Sequence, residues 1–239
     1  SYDVTGDGTK DKIRIRASNQ TDDEAYSSLT VSVNGKTAYR LKNTRFYNVI
    51  ANIYTLKNGQ PFLYLYAPAE NGDGPVCALL KYTNGKFRKA LDFTEIMAGY
   101  GNHRIGEVTN LKGNKIVITE SIVSYSLGIN AINFTYKYVN GKFVPTSRYG
   151  SYKEIYSADG SSRYFTVNSD LPTYTRPDAT AVNTTLKTGS LTKIIKCALI
   201  NGKMYIQLEC DGEIYWIKAL ENPPISDNER QFMEVRYAG

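Results

Sequence analysis

The chain has 239 residues, of which 41% are hydrophobic and 22% are charged, and its mean hydropathy is −0.39. These values exclude a mostly disordered chain and an integral membrane protein, and no run approaches the ~20 apolar residues of a membrane span. The formal net charge of +6 keeps anionic polymers among the candidate partners. The single His excludes a metal site built from several histidines.

The chain begins with an acidic, glycine-containing segment. Asp3, Thr5, Asp7 and Asp11 supply side-chain oxygens, and the backbone carbonyl of Thr9 adds another. Because calcium takes six to eight oxygen ligands, we expect this loop to hold one structural calcium ion. A polar turn whose Asp and Thr side chains bond their own backbone is an equally good interpretation.

The pattern D-x-T-G-D-G-x-x-D resembles the calcium loop of FG-GAP repeats, found in integrin-type propellers, and that of dockerin-like modules. The resemblance covers 13 residues. It implies calcium ligation by Asp3, Thr5, Asp7 and Asp11, with help from the Thr9 carbonyl. The family usually has Asn or Asp at the third position, where this chain has the weaker ligand Thr5.

Strands are predicted over most of the chain. The runs at 12–16, 29–33 and 115–119 alternate apolar and polar residues, which is typical of half-buried strands. Asn-Gly-Lys triplets separate such runs, and Asn-Gly suits the two positive-φ positions of a type I′ hairpin. They favour an antiparallel meander over parallel βαβ units. The triplets begin at Asn34, Asn84, Asn140 and Asn201.

The spacing of these turns indicates a degenerate repeat. Residues 3–15 align with residues 107–118 and, more faintly, with residues 58–66. Three units of roughly 50 residues would fit the period of a propeller blade. Propellers typically have about four to eight blades, so three units predict a partial or open arrangement.

Helix signals are few. Asp92 with Glu95, and Ser226 with Glu229, have the spacing of capping boxes. Each predicts only a short helical turn. His103 follows the first of them, and a surface or capping role is favoured over catalysis because no nucleophile motif accompanies it.

The three cysteines, Cys77, Cys197 and Cys210, allow at most one disulfide. If Ile200 and Lys203 close the last Asn-Gly hairpin, Cys197 lies opposite Ile206, which does not indicate a disulfide with Cys210. Buried free thiols are therefore predicted, and the spacing matches no zinc ligand set.

The region from Leu171 predicts a small barrel. Its short strands are separated by an L-x-x-G turn, an Asn-Gly turn and an Asp-Gly turn, and it ends near Trp216. This order resembles bacterial SH3 domains over roughly residues 165–220. The resemblance implies binding of wall peptide or peptidoglycan, as in many secreted or wall-associated proteins. A core position is the favoured interpretation for Trp216.

Together these patterns predict an all-β protein, with propeller-blade-like antiparallel repeats at 1–150 and an SH3-like barrel domain at 151–239. The expected function is non-catalytic binding or scaffolding at the bacterial surface or wall, outside the cell, after removal of a signal segment. A wall polymer, glycan or peptide is the expected partner, without nucleic acid or a membrane span. The alternatives are a wall hydrolase with paired carboxylates, or a purely structural domain of a larger surface protein.

The two regions differ in charge. Residues 1–150 contain 19 Lys and Arg against 12 Asp and Glu, whereas residues 151–239 contain 10 against 11. The basic excess therefore belongs to the repeat region, where it attracts anionic wall polymers if it forms a face. We expect it to be spread along the strands and to lack a clustered patch.

Overall fold

The structure, a computed structural model, describes residues 2–21, 23–157 and 160–236, with the backbone alone at residues 71, 103, 104 and 161. Within these residues the fold is built from antiparallel strands, and helical structure is limited to three 3-10 turns. The predicted all-β class is confirmed. The turns are Glu70–Gly72, Phe93–Glu95 and Asp227–Glu229.

The chain divides into two compact units, and both draw on the middle of the sequence. The two contiguous domains expected at 1–150 and 151–239 remain a prediction. Unit 1 comprises Ser1–Ile96, Val108–Ile116 and Tyr136–Val144, and unit 2 comprises Met97–Glu107, Val117–Thr135 and Pro145–Gly239.

Unit 1 contains two antiparallel meanders. The first sheet consists of β1 (Ile13–Gln20), β2 (Tyr26–Val33) and β3 (Lys36–Phe46) in that order. Its alternation of apolar and polar residues sends one set of side chains into the core and the other to solvent. The second sheet consists of β4 (Ile50–Thr55), β5 (Pro61–Ala67), β6 (Val76–Thr83) and β7 (Lys86–Asp92).

The two sheets of unit 1 share one hydrophobic core. Leu29 and Val31 from β2 meet Leu65 from β5 and Ala78 from β6, and all four are fully buried. At about 25 cal/mol per Å² of apolar surface removed from water, this packing is the main contribution that stabilises the unit. It also fixes which side of β1, β2 and β3 faces solvent.

The remaining strands form a ten-stranded sheet and a two-stranded sheet. The main path of the larger sheet runs β19-β18-β17-β12-β10-β9-β8, with β11 on β10, β13 on β12 and β14 on β17, while β15 pairs with β16. The strands are β8 (Gly101–Lys112), β9 (Lys115–Ser124), β10 (Gly128–Val139), β11 (Lys142–Pro145), β12 (Tyr149–Ser157), β13 (Gly160–Ser161), β14 (Tyr164–Thr166), β15 (Leu171–Thr173), β16 (Thr184–Leu186), β17 (Leu191–Ile200), β18 (Lys203–Cys210) and β19 (Glu213–Lys218).

Strand order repeats along the first part of the chain. In β4–β7 and in β8–β11, a first strand leads by a short turn to a second, and an Asn-Gly turn joins the third to the fourth. β1, β2 and β3 correspond to the second, third and fourth strands of this order. The predicted repeat of strands matches this order, and a propeller remains a prediction.

The four Asn-Gly turns are confirmed as positive-φ hairpins. Asn34 has φ 49° and Gly35 has φ 82°, and the other three pairs are similar. Only glycine and a few short polar residues adopt this conformation without strain, which explains the residue types.

The strands predicted after residue 171 are present, but they occupy two sheets. β17, β18 and β19 continue the larger sheet, while β15 and β16 pair with each other. Ile200 is paired with Lys203 and Cys197 with Ile206, as expected. The resemblance to SH3 domains remains a prediction. In the described residues no helix is long and apolar enough to cross a membrane.

Candidate functional site: a basic sheet face

The acidic loop before β1 is organised around Asp11, which is 4% exposed. Its carboxylate accepts hydrogen bonds from the backbone N–H groups of Val4 (2.7 Å) and Thr5 (2.9 Å) and from the Asn34 side chain (2.6 Å). Burial acts to raise the pKa of Asp11, but these hydrogen bonds outweigh it and lower the pKa below its ordinary value. Asp11 therefore anchors the loop to the first Asn-Gly turn.

The other acids of the loop also accept hydrogen bonds from its backbone. Asp3 accepts from the N–H groups of Gly6 (2.6 Å) and Gly8 (2.8 Å), and Asp7 accepts from that of Thr9 (2.8 Å). These hydrogen bonds are the ones expected if the segment is a polar turn. They leave calcium binding as a prediction, because a carboxylate oxygen has more than one lone pair.

Three of the five predicted ligands lie together. The Thr5 hydroxyl is 3.3 Å from a carboxylate oxygen of Asp3 and 3.3 Å from one of Asp11. Asp7 is joined to them through its backbone N–H, which donates to the Asp3 carboxylate at 3.2 Å. The described residues contain no group of three or more His, Cys, Asp or Glu arranged for a metal. The loop lines a cavity of about 730 Å³ in unit 1, which Gln60 and Lys81 also line.

A basic face lies on the solvent side of the first sheet. Cross-strand pairing places Arg16 opposite Thr30, and Thr30 opposite Arg40. The neighbouring pairs Arg14 with Ser32, and Ser28 with Lys42, lie on the same side, because residues two apart along a strand share a face. Four exposed cations are thus interleaved with hydroxyl groups.

This surface continues into a cleft between β3 and β7. The cleft has a volume of about 310 Å³, its floor includes Ala38 and Phe87, and Arg40, Lys86 and Arg88 line it. Lys86 and Arg88 are exposed, since they alternate with the buried Phe87. We call Arg14, Arg16, Arg40, Lys42, Lys86 and Arg88 together the basic face.

The cations of the basic face are not neutralised by acidic neighbours. None of the six forms an ion pair in the part of the chain that the structure describes. Asp92 acts electrostatically on Tyr39 of β3, and its carboxylate is ion-paired with Lys89. A set of like charges on one face attracts a polyanion more strongly than the same charges scattered over the surface.

The paired-carboxylate alternative rests on Asp92 and Glu95. Both line a cavity of about 310 Å³, but Asp92 is engaged. It accepts from the backbone N–H (3.2 Å) and hydroxyl (2.8 Å) of Thr94 and is ion-paired with Lys89. Asp92 therefore caps the 3-10 turn as its spacing predicts. The side chain of His103 lies outside the described residues.

The second capping pair differs from the prediction. A 3-10 turn follows Ser226, but the Ser226 side chain makes no capping hydrogen bond. Glu229 instead accepts from the backbone N–H of Ile225 at 2.9 Å. Its carboxylate therefore reaches one residue further back than in a capping box.

The cysteines and the tryptophan are structural. Cys77, Cys197 and Cys210 are buried and form no disulfide within the described residues, as predicted. Burial raises the pKa of the Cys197 thiol to about 12, which makes it a poor nucleophile. Trp216 is 5% exposed, in agreement with its predicted core position.

The sequence did not identify the basic face. Its cations lie on three strands, and only the hairpin register brings Arg16 and Arg40 onto one row. The pattern at Lys12, Arg14 and Arg16, with a cation at every second position, was the one available signal. Comparison of the chain with protein-family models, curated proteins and solved structures found no match.

Proposed function

We propose that this protein is an exported, non-catalytic binding protein that attaches to an anionic polymer of the bacterial cell surface or wall. The observation that carries the proposal is the basic face, where six exposed cations line one sheet surface and cleft without a carboxylate partner among the described residues. Such a surface provides affinity for a repeated anionic group and requires no reaction.

The side-chain chemistry fits phosphate or carboxylate groups. Arginine presents a planar fork of donors that binds either group through two parallel hydrogen bonds. Arg16 and Arg40 lie on either side of Thr30, and adjacent strands are about 4.8 Å apart, so the two guanidinium groups can engage neighbouring charges of one polymer. The Thr30 hydroxyl between them is a further donor.

A wall polymer is favoured over nucleic acid. Proteins that bind single-stranded nucleic acid stack its bases on exposed aromatic side chains, whereas the aromatic residues at the cleft are the half-buried Tyr39 and the buried Phe87. Location outside the cell rests on the two sequence resemblances, at residues 3–15 and 165–220.

A sedimentation experiment tests the function. Purified bacterial walls that retain their phosphate polymers are compared with the same walls after acid extraction of those polymers. We expect the double variant Arg40→Glu/Arg88→Glu to bind intact walls at least about tenfold more weakly, because two contacts become repulsive. The control Lys153→Glu/Lys203→Glu makes the same charge change at exposed sites of unit 2 and should stay within about twofold of the parent.

Several results would overturn this function. Equal binding to extracted walls would exclude the polymer, and equal weakening by the control pair would exclude the basic face. Tighter binding to duplex DNA than to intact walls would assign the face to nucleic acid.

We also propose that the acidic loop binds one calcium ion for structural support. Its basis is the convergence of Asp3, Thr5 and Asp11 within the predicted ligand set. Calorimetric titration of the whole chain with calcium should show one site, which is lost in Asp3→Asn and kept in Glu213→Ala. Absence of heat together with an unchanged melting temperature would leave the polar turn as the sole role of the loop.

A further inference from the structure

In the described residues, β1 is an edge strand that pairs with β2 alone. The second strand of each later repeat pairs with a first strand, since β5 pairs with β4 and β9 with β8. β1 is the second strand of the first repeat, and it lies at the edge of its sheet. In the described residues, this edge carries one isolated antiparallel bridge, between Tyr2 and Asp11.

Hydrogen-bond direction shows which groups of β1 are free at this edge. The Asp11 N–H donates to the Tyr2 carbonyl at 2.9 Å, so the backbone of Asp11 points outward. The Lys12 carbonyl instead accepts from Asn34 at 3.0 Å, on the β2 side. Because direction alternates along an antiparallel strand, Ile13 and Ile15 direct their N–H and C=O groups toward the open edge. These are the groups that a further strand would pair with.

A slot with one apolar side adjoins this edge. A cavity of about 450 Å³ is lined by Ile13 and Ile15 of β1, by Ala51 and Ile53 of β4 and by Leu63 of β5, and also by Tyr2, Asp11, Lys12 and Asn52. All of these residues belong to unit 1. An extended strand in this slot would place every second side chain against these apolar groups.

The solvent side of β1 indicates which charge an added strand would carry. Arg14 and Arg16 are exposed and alternate with Ile13 and Ile15, and Lys12 continues the series. In an added strand, residues opposite Ile13 and Ile15 face the slot, and residues opposite the arginines face the cations. Cross-strand pairs of opposite charge are favourable, so acidic residues suit these positions.

We propose that β1 accepts an extended segment of a separate polypeptide, with alternating acidic and apolar residues, as an added antiparallel strand. Main-chain hydrogen bonds to Ile13 and Ile15 provide its affinity. The slot and the row of cations select its side chains, as in other cases of β-strand addition. The segment would share Arg14 and Arg16 with the basic face, but its main-chain pairing with Ile13 and Ile15 does not depend on polymer binding.

Fluorescence anisotropy measured with the whole chain tests whether β1 accepts such a strand. The probe is a nine-residue peptide of alternating Glu and Val with blocked ends and a fluorophore. A peptide of the same composition with Glu and Val in separate blocks should bind at least about tenfold more weakly, because only alternation matches both faces. Equal affinity for both peptides would overturn the proposal.

Backbone methylation separates strand pairing from charge attraction. Residues opposite Ile13 and Ile15 direct their N–H groups toward β1, so methylation of the Val amides removes the donors. We expect at least about tenfold weaker binding than for the peptide methylated at the Glu amides. Equal binding of the two would mean that the acidic side chains alone attract the peptide.

A protein variant provides the reciprocal test. Ile15→Pro removes an N–H from the open edge and leaves the hydrogen bonds to β2 in place, so the peptide should bind about tenfold more weakly. Ile214→Pro is the matched control, since its N–H faces the outer edge of β19, away from β18 and two residues before the bridge of Trp216 to Tyr174, and it should leave affinity within about twofold. If Ile15→Pro fails to fold by circular dichroism, the methylated pair decides.

Discussion

The acidic loop and the basic face differ in how far apart along the chain their residues lie. The loop is local: its acids lie within nine residues of one another, and their partners are mostly N–H groups of the same segment. The basic face is assembled from three strands, and its charges meet only through hairpin register and sheet packing. A local motif can be recognised by residue type, whereas a charged face depends on which side of each strand the core occupies.

The largest expected effect is the difference in free energy of unfolding between substitutions on the buried and exposed sides of β2. Val31→Lys places a charge at a fully buried position, so it should lower the free energy of unfolding by about 4 kcal/mol and unfold unit 1. Ser32→Lys, one residue on, points to solvent and should change it by less than about 0.5 kcal/mol. Urea titration followed by circular dichroism measures both. Similar losses for the two variants would contradict the assigned faces.

The next effect tests the anchor of the loop. Asp11→Ala leaves the N–H groups of Val4 and Thr5 without their acceptor, and we expect a loss of about 3 kcal/mol. Asp7→Ala removes one exposed acceptor and should cost less than about 1 kcal/mol. Thermal melting of both variants measures the difference. A smaller loss for Asp11→Ala would mean that the loop is held by other contacts.

Acid should weaken the loop more than the basic face. The pKa of Asp11 is lower in the folded state than in the unfolded chain, so its contribution is complete above the ordinary Asp pKa of about 3.9 and is lost as the pH falls through the folded value. Urea midpoints measured between about pH 6 and about pH 2 should fall less steeply in Asp11→Asn than in the parent. Equal slopes would exclude Asp11 as the acid-sensitive group.

The smallest effect concerns thiol chemistry. Since burial raises the pKa of Cys197 to about 12, a thiol reagent at neutral pH should modify it far more slowly in the folded protein than in urea. Mass spectrometry of labelled peptides measures the rate at each cysteine. Rapid labelling of Cys197 in the folded protein would indicate that β17 opens frequently.

The features that the sequence predicted correctly depend on residues close to one another along the chain. The all-β class, the Asn-Gly hairpins and the pairing of Cys197 with Ile206 follow from alternation and turn chemistry, and the structure confirms them. The union of β17 with β12 in one sheet could not be predicted, because pairing between strands distant in sequence depends on packing. Arg40 and Arg88 were missed for the same reason. They lie on strands of different sheets.

Trp216 makes the two units separable by spectroscopy. It is the sole tryptophan of the chain and belongs to unit 2, where its ring centroid lies 5.9 Å from that of Tyr149 and 5.9 Å from the Lys196 ammonium. Indole fluorescence excited apart from tyrosine therefore reports the unfolding of unit 2, while circular dichroism reports strands of both units. Coincident transitions would indicate one cooperative molecule, and separate transitions would give each unit its own stability.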